Sequence, residues 1–148
     1  RVFINGRPHR IISINGHKVT RILPISDSIV IKVSGDSMNK ANILNGDYIL
    51  LRLLPKNVSD FDISDILPED EDFYKEAKHS QVVTDGDIVA AEVLNEDSEV
   101  TLKRFYRRGD KIVLAPDSTN PVHRPKIFDS KNQGFFVRGV AVAVFKPT

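Results

Sequence analysis

The sequence has no cysteine, no tryptophan, a single methionine and no apolar run approaching the length of a membrane span. Each absence removes a class of function. Without cysteine there is no disulfide framework, no thiolate zinc site and no cysteine nucleophile. The same absence suits a reducing compartment, and the expected setting is the cytoplasm. A transmembrane helix needs about 20 consecutive apolar residues. The opening RVFINGRPHR does not have the pattern of a secretory signal. Helical periodicity is scarce too. No run of three amphipathic helices exists, so no helix-turn-helix DNA reader is expected in these residues.

What is present is an ordinary globular balance: 148 residues, 41% apolar and 28% charged. That suffices for one domain with a real core. The net charge of +1 conceals an asymmetry. Residues 56–84 carry eight carboxylates against three lysines, a net −5, and the remainder is basic at +6. A solvated insertion and a docking surface both fit such a segment.

The patterning predicts a compact, mostly β domain of antiparallel sheets with little helix. Runs rich in Val, Ile and Phe alternate with turn dipeptides. Expected strands are Arg10–Ile14, Lys18–Leu23, Ile29–Ser34, Tyr48–Leu54, Ile88–Leu94, Val100–Tyr106, Lys111–Ala115 and Phe135–Val144. Asn15-Gly16, Asn45-Gly46-Asp47, Asp85-Gly86-Asp87 and Arg108-Gly109-Asp110 supply turns, with Asn15-Gly16 the strongest hairpin signal. INGR at 4–7 and INGH at 14–17 form a small repeat. One or two helical turns are expected over Ser37–Ile43, and a polar helix over Glu69–His79. Asn57–Pro68 reads as loop.

The sharpest local feature is Val33-Ser34-Gly35-Asp36-Ser37-Met38. An apolar run enters a glycine and then a serine, which can place a hydroxyl at a strand end beside free backbone N–H groups of a helical turn. Such groups can stabilise an oxyanion. A capping role for Ser37 fits the same residues. The nucleophile elbow Gly-x-Ser-x-Gly is not matched, because Asn39 holds its last glycine position.

A serine nucleophile needs a base. None of the four histidines, His9, His17, His79 and His123, lies in a recognisable motif, although a Ser-His-Asp triad has no fixed order. Lysine is the other option. Period-2 alternation in Val100–Phe105 puts Thr101, Lys103 and Phe105 on one face. A desolvated lysine there would lose its preference for the charged form and accept a proton. A lysine that snorkels to water is the alternative. Asp60, Asp62, Ser64 and Glu71 match a calcium-loop spacing, but Asp65 stands where the sharp turn wants glycine and a helical frame is lacking, so no metal is assigned.

Taken together, VSGDSM at 33–38, the Gly46-Asp47 turn, DGDIV at 85–89, VTLKRF at 100–105, LAPDSTNP at 114–121 and GFFVRGVAVAVFKP at 134–147 resemble the LexA/UmuD family of serine peptidases. The likeness covers roughly residues 28–147. It implies a LexA-like C-terminal domain, with Ser37 as nucleophile, Lys103 as general base and the backbone N–H groups of Ser37 and Met38 as oxyanion hole. No cofactor is implied. It also implies self-cleavage that switches off a transcriptional repressor, a homodimer formed through the C-terminal strand region, a RecA filament as trigger, and DNA contact only through an N-terminal domain outside this chain. The apolar run Phe135–Phe145, with Gly134 and Gly139 allowing close approach, is expected to present an exposed strand edge for that dimer. A non-catalytic, UmuD-like interaction subunit is the alternative.

Departures from the pattern are specific. Ser37 and Lys103 are separated by 65 residues, more than the family usually has, and the acidic stretch 55–84 accounts for the excess. It is expected to protrude as a loop insertion, with 1–27 an N-terminal β extension of the single domain. Glycines before Ser37 follow Asn5, Asn15 and Ser34, so the Ala-Gly or Cys-Gly bond that the family cuts is absent from these residues. Type I signal peptidases share serine–lysine chemistry, but their membrane anchor has no counterpart here.

Overall fold

The computed structural model describes residues 2–15, 28–54, 83–94, 100–129 and 134–148. Among them are β1 (Val2–Ile4), β2 (Arg7–Ser13), β3 (Ser28–Lys32), β4 (Tyr48–Leu53), β5 (Ile88–Val93), β6 (Val100–Arg108), β7 (Lys111–Ala115), β8 (Lys126–Asp129) and β9 (Phe135–Pro147). One 3-10 turn, Asn39–Ala41, is the helical element of these residues. Every strand pairing is antiparallel, as the alternating pattern requires.

The fold is organised around β9. One of its edges pairs with β4 through residues 139–145. Its other edge pairs with β2 near the C-terminal end and with β5 near the start. From β5 the sheet continues through β6 and β7 to β8, while β3 hangs on β4. The sequence of β9 is almost continuously apolar because both its faces are covered. Register shifts at Leu50/Leu51 and Ala90/Ala91 leave Val142 and Arg138 of β9 as extra residues, and such bulges bend a strand. Gly139 sits between these bulges. A Cβ there would lie 2.8 Å from the Arg52 carbonyl oxygen, so only glycine permits the approach of β4.

Two core clusters form on opposite sides of β5. Val89 and Ala91 join Phe105, Leu114, Val137 and Val140. Ile88 and Ala90 join Met38, Ile49, Leu51, Leu102 and Val144. This alternation is the period-2 pattern expressed as packing. The second cluster lies under the turn that carries Ser37.

Most expected strands are found, with β2, β6 and β9 longer than expected. β1 and β8 were not anticipated. They are short, and Phe3 and Ile127 are exposed, so they carry little burial signal. The helical turns expected over Ser37–Ile43 shorten to Asn39–Ala41. A two-residue hairpin forms at Asn5-Gly6, both with positive φ, joining β1 to β2. Asn15 does something else. Its side chain donates to Ile88 O and Ala141 O and accepts from Ile88 N–H, filling the gap between β2 and β5 along β9. Gly16, the strand expected at Lys18–Leu23, the helix expected at Glu69–His79, the loop at Asn57–Pro68, residues 55–82 of the acidic stretch 55–84 and the calcium-like spacing lie outside the described residues.

Phe135–Phe145 were expected to present an exposed apolar strand edge for dimerisation. Over residues 139–145 both edges of β9 are instead paired within the chain, because β4 takes one and β2 with β5 take the other.

Candidate active site

Ser37 is placed by the way β3 ends. Beyond Lys32 the pairing with the segment before β4 continues, with Val33 N–H donating to Asp47 O and Gly46 N–H to Val33 O. Gly35, at φ +89°, then turns the chain, and its N–H donates to Asn45 Oδ1 at 2.9 Å. Met38 is buried in the core and anchors the turn from below. Its carbonyl accepts from Ala41 N–H and Ile43 N–H. Ser37 is thereby left partly exposed at the rim. Among the described residues neither the Ser37 nor the Met38 N–H donates to another backbone carbonyl. Ser37 is not a cap of the 3-10 turn; Met38 holds that position without a side-chain bond.

Lys103 comes from β6, opposite Val89 of β5. It is 8% exposed, beside Leu102 and Phe105 in the core. Its Nζ lies 3.3 Å from Ser37 Oγ. The same nitrogen donates to Thr101 Oγ1 at 2.5 Å and to Leu102 O at 3.1 Å. Thr101 was expected only to share a face with Lys103; its place as a hydrogen-bond partner is visible once the side chain is seen.

Between the end of β3 and the start of β6 lies a cleft of about 190 Å³. Ile31, Val33, Met38, Val100 and Leu102 give it apolar walls, and Ser37 and Thr101 give it polar ones. Among the described residues β7 pairs with β6 only from Arg104 onward and β3 pairs only with β4, so within these residues both flanks of the cleft are strand edges.

The loop after β7 closes the site from the other side. Asp117 N–H donates to Ser37 O at 2.9 Å. Ser118 Oγ donates to Asp36 O at 2.7 Å. His123 Nε2 donates to Asp36 Oδ1 at 2.5 Å and Asn120 Nδ2 to Asp36 Oδ2 at 3.2 Å. These bonds, His123 first and Asn120 second, hold the Asp36 carboxyl below its ordinary range. His123, weighed from the sequence as a base, is therefore tied to Asp36. His9 is buried at the β1–β2 hairpin, where it donates to Arg7 O and meets the Tyr48 ring edge-on. His17 and His79 lie outside the described residues. The loop was missed because Asp117–His123 has no periodicity, only turn residues.

A family model described as Peptidase S24-like matches residues 16–142. The chain belongs to that family. It is similar to the LexA repressor of Geobacillus sp. (strain WCH70), 32% identical over 101 residues, covering 68% of this chain and 35% of that protein. It is likewise similar to the LexA repressor of Citrifermentans bemidjiense, 32% identical over 116 residues, covering 78% and 42%. The matches bear out the resemblance drawn from VSGDSM and VTLKRF. The chain spans less than half the length of these relatives. No helix among the described residues is long and apolar enough to cross a membrane.

Proposed function

We propose that this chain is the peptidase domain of a LexA-like transcriptional repressor, and that it cuts a peptide bond of its own polypeptide with Ser37 as nucleophile and Lys103 as general base. The observation that carries this reading is the 3.3 Å separation of Ser37 Oγ from a buried Lys103 Nζ at the edge of a cleft.

Burial disfavours the ammonium form of a lysine. A neutral amine has two N–H bonds and one lone pair. Thr101 Oγ1 and Leu102 O are placed to accept the two N–H groups, which turns the lone pair toward the Ser37 hydroxyl. In this account Lys103 takes the hydroxyl proton as Oγ attacks the scissile carbonyl. The N–H groups of Ser37 and Met38 receive the developing oxyanion. Collapse breaks the C–N bond, and the Lys103 ammonium returns the proton to the leaving amine. Water, deprotonated by Lys103, then hydrolyses the acyl-serine ester. The two strand edges beside the cleft suit an extended substrate, which would add to them through main-chain hydrogen bonds.

Partners follow the same reading: the chain itself as substrate, a second copy as a homodimer, a RecA filament as trigger, and DNA through a domain outside these residues. One observation favours a second reading. No Ala-Gly or Cys-Gly dipeptide occurs in the 148 residues, which fits a non-catalytic or UmuD-like interaction subunit on the same fold. A synthetic peptide carrying Ala-Gly between apolar flanks, added in trans at alkaline pH, separates them by mass spectrometry. The peptidase reading expects cleavage by the wild type and none by Ser37→Ala. Equal cleavage by both, or by neither, contradicts it.

A further inference from the structure

Asp117 is bonded to both sides of the Ser37–Lys103 pair. Its backbone N–H donates to Ser37 O and its C=O accepts from Lys40 N–H, each at 2.9 Å. Its carboxylate Oδ2 accepts from Arg104 Nε at 3.0 Å. Arg104 directly follows Lys103 in β6 and is fixed in turn by Nη1 donating to Gly86 O at 2.8 Å. The segment that starts at Asp117 also grips the residue before Ser37, through Ser118, Asn120 and His123 on Asp36. β3 and β6 are not paired with each other. The turn that carries Ser37 and the strand that carries Lys103 are therefore spanned by one short piece of chain.

We propose that Asp117, acting through Arg104, is a positioning residue that sets the separation of Ser37 from Lys103, with residues 117–123 as the brace. This rests on the serine–lysine reading above. The Asp117 and Arg104 side chains are 27% and 30% exposed. An ion pair that wet contributes little to stability. Proton transfer is far more demanding, since it needs heavy atoms within about 2.6–3.2 Å, and a 1 Å misplacement can cost about 100-fold in rate. Loss of the pair therefore shows in the reactivity of Ser37 before it shows in melting.

The test uses the 148-residue chain and a fluorophosphonate, which traps an activated serine as Oγ bonds phosphorus and fluoride leaves. Labelling is followed by intact mass beside a melting curve for each variant. The wild type is expected to label at Ser37, and Ser37→Ala and Lys103→Ala are expected not to. Asp117→Ala is expected to label about 10- to 100-fold more slowly, with the melting temperature moved by no more than about 4 °C. Asp117→Asn keeps an oxygen for Arg104 and is expected to recover most of the rate. Arg108→Ala breaks the Arg108–Asp85 pair at the far end of β6 and is expected to label like the wild type. Wild-type labelling by Asp117→Ala, or an Asp117→Asn as slow as Asp117→Ala, overturns the brace alone. A wild type that takes no Lys103-dependent label removes the dyad reading, and the brace with it.

Discussion

His123 reaches Asp36 across 2.5 Å and so ties the loop after β7 to the residue immediately before Ser37. The bond fixes a direction for pH. The His123 and Asn120 hydrogen bonds lower the Asp36 pKa from its ordinary value of 3.8. A carboxyl whose folded pKa is depressed stabilises the fold above its unfolded pKa, and this contribution is lost as pH falls through the folded value. An NMR titration of the Asp36 carboxyl is expected to show a midpoint below 3.8, and His123→Ala is expected to move it up. An Asp36 midpoint unaffected by His123→Ala would contradict the pairing.

Lys146 and Asp47 form an ion pair in which both side chains are buried. The Asp47 carboxylate also accepts from Leu44 N–H at 2.9 Å, so it holds the turn before β4 to the end of β9. Lys146→Met leaves a buried carboxylate without its counter-charge and is expected to cost about 3–5 kcal/mol in denaturant unfolding. Adding Asp47→Asn removes the uncompensated charge and is expected to recover part of that loss. An additive double variant would show that the two side chains act independently.

Gly139→Ala places a methyl against the Arg52 carbonyl at 2.8 Å. Backbone cannot yield there as a flexible side chain would. A loss of about 1–3 kcal/mol is expected, read as a lower denaturant midpoint. A midpoint equal to the wild type would mean that β4 and β9 separate without cost.

Much of this architecture is legible in the residues because each local signal agrees with its partner. The runs over 48–54, 88–94, 100–106 and 135–144 are apolar enough to be core strands, and they form the centre of the sheet. Ser37 and Lys103 are legible as candidates only jointly, since a capping serine and a snorkelling lysine each fit one segment alone. β8 escapes because its four residues, Lys126–Asp129, are too few to display an alternating pattern. The role of Asn15 escapes because an Asn-Gly dipeptide reads as a turn, whereas three side-chain bonds to β5 and β9 depend on distant strands. The brace of Asp117 and His123 is tertiary in the same sense: its partners lie 80 or more positions away for Asp36 and Ser37, and 13 for Arg104. The free edge expected of β9 fails because apolar content does not reveal whether a strand lies at the edge or in the middle.

The central claim is that a neutral Lys103 activates Ser37. Its most direct test is the pH–rate profile of peptide cleavage by the wild type and by Lys103→Arg, measured from pH 6 to about 10.5, near the ordinary lysine pKa. The wild-type rate is expected to rise with pH and level off once the amine is neutral, while Lys103→Arg stays inactive throughout because a guanidinium keeps its proton. Cleavage by Lys103→Arg at the wild-type rate, or a rate that His123→Ala abolishes while Lys103→Ala does not, would contradict it.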